Sequence, residues 1–388
     1  MSIIILKFFV IIDIIKQIGK RKDNASMKIK KIICSAMAAL FVIPALSGCK
    51  HIEKDDMFKV ESQASKTVST VSKSTDESST QASTSSTDSN LITPLMWKAE
   101  DKDGNYAYLF GSIHAADDMV NHLPDYFEKA YSDSDMLAFE VDMSDIFASI
   151  STDTKFLTEI IYSDGTTIKD HISSDTYSRL VEILKENGMY NAMYDYYKPL
   201  MWESLLENII ISKAGLNSSN GVDITLTNRA KNDGKQIDEV ESMEFQMSMF
   251  NNFSDELIEL MLAQYAETNA IDEQTKEIKA LYEKWKTGTM SAEDVSDDTD
   301  IDMDSLTEEQ KELLEEYNKS MLIDRNEGMT EKLIEYMKGD KITMLVVGSA
   351  HFLGDDGIIS LLQKQGITVT KIISPDQITV TEKLPEAA

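Results

Sequence analysis

Hydrophobic and polar positions along this chain switch between two periods. Tyr106-Ala-Tyr-Leu-Phe-Gly-Ser-Ile-His114 and Ile342-Thr-Met-Leu-Val-Val-Gly-Ser-Ala-His351 are short apolar runs, rich in aromatic or β-branched residues and punctuated by glycine. Such runs predict buried strands of a mixed α/β sheet. Leu95-Met-Trp-Lys98 opens a further extended pattern, Asp135 to Asp142 reads as another strand, and Lys235 to Ser242 as a short one. The remaining periodicity is helical. A helix starts after Leu123-Pro-Asp125 and ends near Ser134, residues 151–290 are mainly helical, and Leu306 to Lys338 form one long helix. Asp223 is placed to cap the helix after Gly221, Glu244 and Gln246 open another, and Ser305 with Glu308 reads as a capping box.

The two first-named strands end in the same letters, Gly-Ser-x-His. In open α/β sheets, ligand crevices form beyond the carboxyl ends of the strands, so His114 and His351 are expected to stand at one sheet edge as a paired-histidine site. Gly111 and Gly348 suit a turn or a close approach that a Cβ would obstruct. Glu140 and Asp142 lie two apart near the end of a third predicted strand and share one face, which puts Glu140 beside the histidines.

Charge and cysteine usage narrow the chemistry. The chain has 388 residues and a formal net charge of -29, with no basic stripe, which argues against a nucleic-acid partner. From Met27, three lysines precede the apolar run Ile32 to Leu46 and then Ser47-Gly48-Cys49, the pattern of a bacterial lipoprotein signal. This predicts an upstream extension over 1–26 with translation beginning at Met27, a signal peptide over 27–48, and a lipid on Cys49. The Ser/Thr-rich stretch within 49–90 then serves as a flexible tether. The folded domain covers 91–388, held on the extracytoplasmic face of a cell membrane, with a slight lean toward a Gram-positive one. Cys34 and Cys49 are the only cysteines, so the mature domain has no thiol chemistry, and any metal must use His, Asp, Glu or water.

Other motifs carry less. Asp298, Asp300, Asp302, Asp304 and Glu309 approximate a calcium-loop spacing but have Met303 where glycine is needed, and read as an acidic surface loop. Tyr194, Tyr196, Tyr197 and Trp202 read as core, and His122 and His171 as polar turn or helix-start residues. Asp324-Arg325-Asn326 on spacing alone is a solvated helix face with an internal ion pair.

Taken together, Phe110–His114, Leu123-Pro-Asp125, Phe139–Asp142, Gly221-Val-Asp223, Glu241-Ser242 with Gln246, Arg325-Asn326 and Val347–Gly357 resemble the TraB/GumN family, which includes the Tiki metalloproteases, over about Leu91 to Thr381. The resemblance implies an erythromycin-esterase/ChaN-like fold, a split mixed β-sheet wrapped by helices. It implies a divalent-metal-dependent hydrolase, peptidase-like. His114 and His351 match the histidines of the two family motifs, Glu140 the acidic position after the second strand, Arg325 and Asn326 the family's helical pair, and the roles of Asp142, Asp223 and Glu241 stay open. The acidic stretch from Asp297 to Asp304 is longer than the family pattern.

On that resemblance, two imidazoles and Glu140 hold an ion such as Mn, Co, Zn or Fe, and Arg325 stabilises an oxyanion. Glu241 or Asp142 orients a histidine or acts as base on a peptide or protein substrate. Two alternatives use the same scaffold: a non-catalytic metal- or haem-binding lipoprotein, and a surface interaction protein with packed histidines.

Overall fold

The computed structural model describes residues 92–142, 159–294 and 306–378. The signal, Cys49, the tether and the stretch Asp297–Asp304 lie outside the described residues, as does Ser305. Within them the fold is mixed α/β, as expected, with strands β1 (Met96–Glu100), β2 (Tyr106–Ser112), β3 (Met136–Phe139), β4 (Gln236–Glu239), β5 (Thr343–Gly348) and β6 (Thr368–Lys371). They form one sheet of order β4-β3-β5-β2-β1-β6 that runs without a break across the β3–β5 pair. The neighbours β4, β3, β5 and β2 are parallel, and β1 joins antiparallel to β2 and β6. Strand β5 is buried along its whole length and β2 along all but its first residue, which is why both read as continuous apolar runs.

Among the described residues, ten helices clothe the sheet or extend from it: α1 (Asp125–Asp133), α2 (Ser174–Glu186), α3 (Pro199–Ala214), α4 (Val222–Asp233), α5 (Met243–Asn251), α6 (Asp255–Ala266), α7 (Ala270–Thr287), α8 (Glu308–Asn318), α9 (Asp324–Met337) and α10 (Ile358–Lys364). Helix α3 begins with Pro199 in its first turn, stops at Gly215 with φ 76°, and buries almost every side chain between. Tyr194, Tyr197 and Trp202 are core as expected, whereas Tyr196 is exposed.

There are two main apolar cores. One packs the sheet against residues such as Phe127, Val222, Met329 and Leu333; the other lies among α2, α3, α5 and α6 and reaches Val141 and Met321. Their boundary passes through the candidate site. Phe139 belongs to the sheet core and Val141 to the helical core, so Glu140 sits between them. Arg325 is likewise flanked by Met321 in one core and Met329 in the other.

Several local expectations are corrected. Strand β3 stops at Phe139, so Glu140 and Asp142 lie past it instead of on its face. Asp223 is not a cap: Gly221 precedes α4, and the Asp223 carboxylate turns to His114. The capping box of α8 is Thr307 with Gln310, two residues later than expected, because Gln310 and not Glu308 stands at the third helical position. The single long helix is in fact α8, a π-helical turn over Lys319–Ile323, and α9. A π turn shifts the helix face, and here it ends two residues before Arg325; such turns are frequent at functional sites.

Candidate active site

Each of the four parallel strands delivers one side chain at its carboxyl end. Glu241 follows β4, Glu140 follows β3, His351 follows β5 and His114 follows β2, in the order of the strands across the sheet. Backbone bonds continue past β3 and β4, from Val240 N–H to Phe139 O and from Glu241 N–H to Glu140 O, so the two glutamates leave the sheet side by side.

The repeated Gly-Ser-x-His segments interlock because β2 and β5 are in-register neighbours. A Cβ at Gly111 would stand 2.5 Å from Ser349 Oγ, so this glycine admits the second motif's serine, whose hydroxyl donates to Ser112 O at 3.0 Å. Gly348 serves another purpose. A Cβ there would lie 3.4 Å from Glu140 Oε1, 3.6 Å from His351 Cδ2 and 3.8 Å from His114 Nε2, and so would enter the space that these three share.

Both imidazoles are buried and oriented from behind. His114 Nδ1 is 3.0 Å from Asp223 Oδ2, and His351 Nδ1 is 2.7 Å from Asn326 Oδ1. An ionised carboxylate only accepts, and the Asn326 amide nitrogen is committed to Asp356 O at 2.9 Å, which leaves its oxygen for the ring. Each ring therefore carries a proton on Nδ1 and directs Nε2 toward the space around Glu140 and Gly348. The His351 Nε2 to Glu140 Oε1 separation is 3.7 Å.

Glu140 is fixed from both sides. Its Oε1 accepts from Gly348 N–H at 2.9 Å and its Oε2 from Arg325 Nη2 at 2.8 Å. Arg325, 1 % exposed, also donates through Nε and Nη2 to the two oxygens of Glu241, each at 2.7 Å. Gln246 adds a bond from Nε2 to Glu241 Oε2 at 2.5 Å. Burial disfavours charge on Glu140, but the Arg325 guanidinium outweighs it and holds the carboxyl well below the usual carboxylate range. The two glutamates in turn raise Arg325 against the opposing pull of its own burial.

Over residues 95–371, the sequence matches the TraB/PrgY/gumN family. The chain belongs to this family. One relative is the Metalloprotease TIKI2 of Xenopus tropicalis, 27 % identical over 305 residues, which cover 68 % of this chain and 57 % of the relative. The chain thus spans little more than half the length of that relative. No solved structure matches.

A metalloprotease relative raises a divalent ion as the group to test against this TraB/PrgY/gumN site. Among the described residues, no three or more His, Cys, Asp or Glu side chains are gathered as a ready-made ion-binding group. The donor chemistry nonetheless fits: two imidazoles held through Nδ1 with Nε2 able to serve as a donor once deprotonated, and a carboxylate kept ionised, stand around a space that a Cβ at 348 would enter. Partners behind the ligands, such as Asp223 and Asn326, are characteristic of metal-ligating histidines.

Of the residues expected at the site, the structure brings together His114, His351, Glu140, Glu241, Arg325 and Asn326. Asp142 is half-buried, and its backbone N–H donates to Glu239 Oε2. His122 is exposed, and His171 stacks on Tyr162 and bonds Asp255 through Nδ1. Sequence reasoning treated Asp324-Arg325-Asn326 as a solvated face on spacing alone. Arg325 is buried instead, just past a π turn that has no sequence signature at this length. The packing of Ser349 on Gly111 was also missed; the shared Gly-Ser letters of two adjacent strands were the available signal.

Proposed function

We propose that this chain is a divalent-metal-dependent hydrolase, acting on peptide bonds, whose metal is held by His114, His351 and Glu140. The observation that carries this reading is the convergence of two Nε2 atoms and one ionised carboxylate on the space beside Gly348, each side chain fixed by a partner behind it. The name of the TIKI2 relative supports the reaction class. The chemistry a divalent ion supplies at such a site is acidification of a water and polarisation of a carbonyl.

The chain's own residues prepare that chemistry. Asp223 and Asn326 keep both rings in the Nδ1–H tautomer. Arg325 keeps Glu140 ionised and aimed, which makes Glu140 a ligand and a source of negative charge, since a carboxylate held so low is a poor proton acceptor near neutral pH. Glu241 has both oxygens engaged by Arg325 and Gln246, and its part is to hold the guanidinium. In this reading Arg325 is a positioning residue whose donors already serve two carboxylates, in place of the oxyanion partner that the family pattern suggested.

The protein is placed on the outer face of a bacterial membrane through a lipid on Cys49. The support is the signal-like sequence from Met27; no described helix is long and apolar enough to cross a membrane. Hydrolysis of a quenched-fluorescence peptide library, with and without chelator, tests the activity. Cleavage that chelation abolishes and manganese, cobalt or zinc restores is expected. Stoichiometric metal with no turnover of any peptide would transfer the site to the non-catalytic binding reading.

A further inference from the structure

Ser112 ends β2 with a buried hydroxyl: the residue is 2 % exposed, and its Oγ has no hydrogen-bond partner among the described residues. A buried hydroxyl left unpaired costs stability that an alanine would not, so the serine points to a partner supplied from outside the chain. Other buried hydroxyls are unpaired too, and register tells them apart. Thr343 stands opposite Ala107 at the amino end of the β2–β5 pair, whereas Ser112 stands opposite Gly348 at the carboxyl end, where the site lies.

Directly opposed residues of neighbouring parallel strands project to the same face of a sheet, and successive residues to opposite faces. A Cβ on Gly348 would enter the space shared by Glu140 Oε1, His351 and His114 Nε2, so the Ser112 side chain, one strand spacing of about 5 Å away on that face, borders the same space. The opposite face shows the alternation: Gly111, one residue earlier, packs there on Ser349. The groups around the space are acceptors. Glu140 is ionised, and each ring, protonated at Nδ1, offers Nε2 as an acceptor when neutral. The nearby donors are committed: Gly348 N–H to Glu140 Oε1, Arg325 to both glutamates, and Ser349 Oγ to Ser112 O. Among the described side chains bordering the space, the Ser112 hydroxyl is the donor that remains.

We propose that the Ser112 hydroxyl donates a hydrogen bond to the carbonyl oxygen of the bond that is cut, and is the oxyanion partner that the committed Arg325 cannot be. The role rests on the hydrolase reading. A hydroxyl with no base in hydrogen-bond contact is not set to attack a carbonyl, so the serine stabilises developing charge and forms no bond to the substrate.

The test compares the cobalt-loaded full chain with its Ser112→Ala and Ser112→Thr variants in two assays: steady-state hydrolysis of the library peptide that wild type cleaves fastest, and binding of acetohydroxamate, a small anionic oxygen ligand, followed by visible absorption. Ser112→Ala lowers kcat about 100-fold with KM within about twofold, and weakens acetohydroxamate about tenfold. Its cobalt content stays at the wild-type value, and its urea midpoint is unchanged or higher, because no hydrogen bond within the protein is lost. Ser112→Thr keeps the hydroxyl and recovers about tenfold of the lost kcat. Wild-type kcat in cobalt-loaded Ser112→Ala, or an acyl group trapped on Ser112, overturns the donor role and spares the hydrolase. Acetohydroxamate binding that depends on Ser112, with no peptide ever cleaved, keeps the donor at the site and removes the hydrolase. No cobalt uptake and no cleavage in wild type removes both.

Discussion

Replacing Arg325 by methionine separates two accounts of the buried charges, one in which the guanidinium organises the site and one in which it merely fills space. Methionine approximates the arginine stem, so little volume is lost, but three charge-assisted hydrogen bonds to Glu140 and Glu241 disappear. Removing one partner of a buried ion pair costs about 3–5 kcal/mol, chiefly because the remaining charge is stranded. The pH dependence supplies an internal check. In wild type the folded pKa of Glu140 lies below its ordinary value of 4.5, so its contribution to stability is complete above that pH and is lost as pH falls. Without Arg325 the largest contribution opposing burial is gone, with only the two histidines and the Gly348 N–H left against it, so the folded pKa rises; once it passes 4.5, stability is present at low pH and is lost as pH rises. The difference between variant and wild type should therefore grow between pH 5 and pH 7, by roughly 1 kcal/mol per unit while Glu140 stays protonated in the variant. Urea unfolding at the two pH values reads this directly, and slopes common to both proteins cancel in the difference. A loss under about 1 kcal/mol, or one equal at pH 5 and pH 7, would refute the clamp.

The remaining predictions concern the glycine gap, the ring partners and the helical core. Gly348→Ala places a methyl group at ordinary contact distance from Glu140 Oε1, so urea unfolding should show a change within about 1 kcal/mol, while peptide hydrolysis and metal uptake are lost; retained activity would mean the gap is not used. Asp223→Asn offers His114 Nδ1 a donor, favours the Nε2–H tautomer and should lower metal affinity about 10- to 100-fold, measured by competition with a chelating dye. Glu203 and Glu207 sit one turn apart on α3, buried, each with an oxygen that lacks a hydrogen-bond partner. Burial pushes Glu203 up to about 8 and Glu207 well above the carboxylate range. A raised folded pKa means that stability is full below about 4.5 and falls as pH rises through about 8, so Glu203→Gln should flatten that decline in pH-resolved unfolding midpoints.

How much of this was legible in the sequence differs between elements. Strands β2 and β5 were, because parallel strands buried on both faces leave a continuous apolar signature, and the repeated Gly-Ser-x-His marked their carboxyl ends. The short edge strand β4 was equally visible from its flanking turns. What the sequence hid were departures from regular geometry. Glu140 follows its strand instead of standing on it, Asp223 abandons a capping role for a histidine 109 residues away, and Arg325, just past the π turn at Lys319–Ile323, lies at the junction of two cores instead of on a solvated face. Each is a tertiary contact overriding a local preference, and periodicity carries no record of such contacts.

The central claim is that His114, His351 and Glu140 form a metal centre, and elemental analysis tests it most directly. The full chain and its His114→Ala/His351→Ala variant are loaded with manganese, cobalt, zinc or iron, desalted and measured, with circular dichroism to verify that both are folded. The account predicts about one ion per chain in the parent and none in the folded variant; no ion in the parent, or an equal complement in the variant, would contradict it.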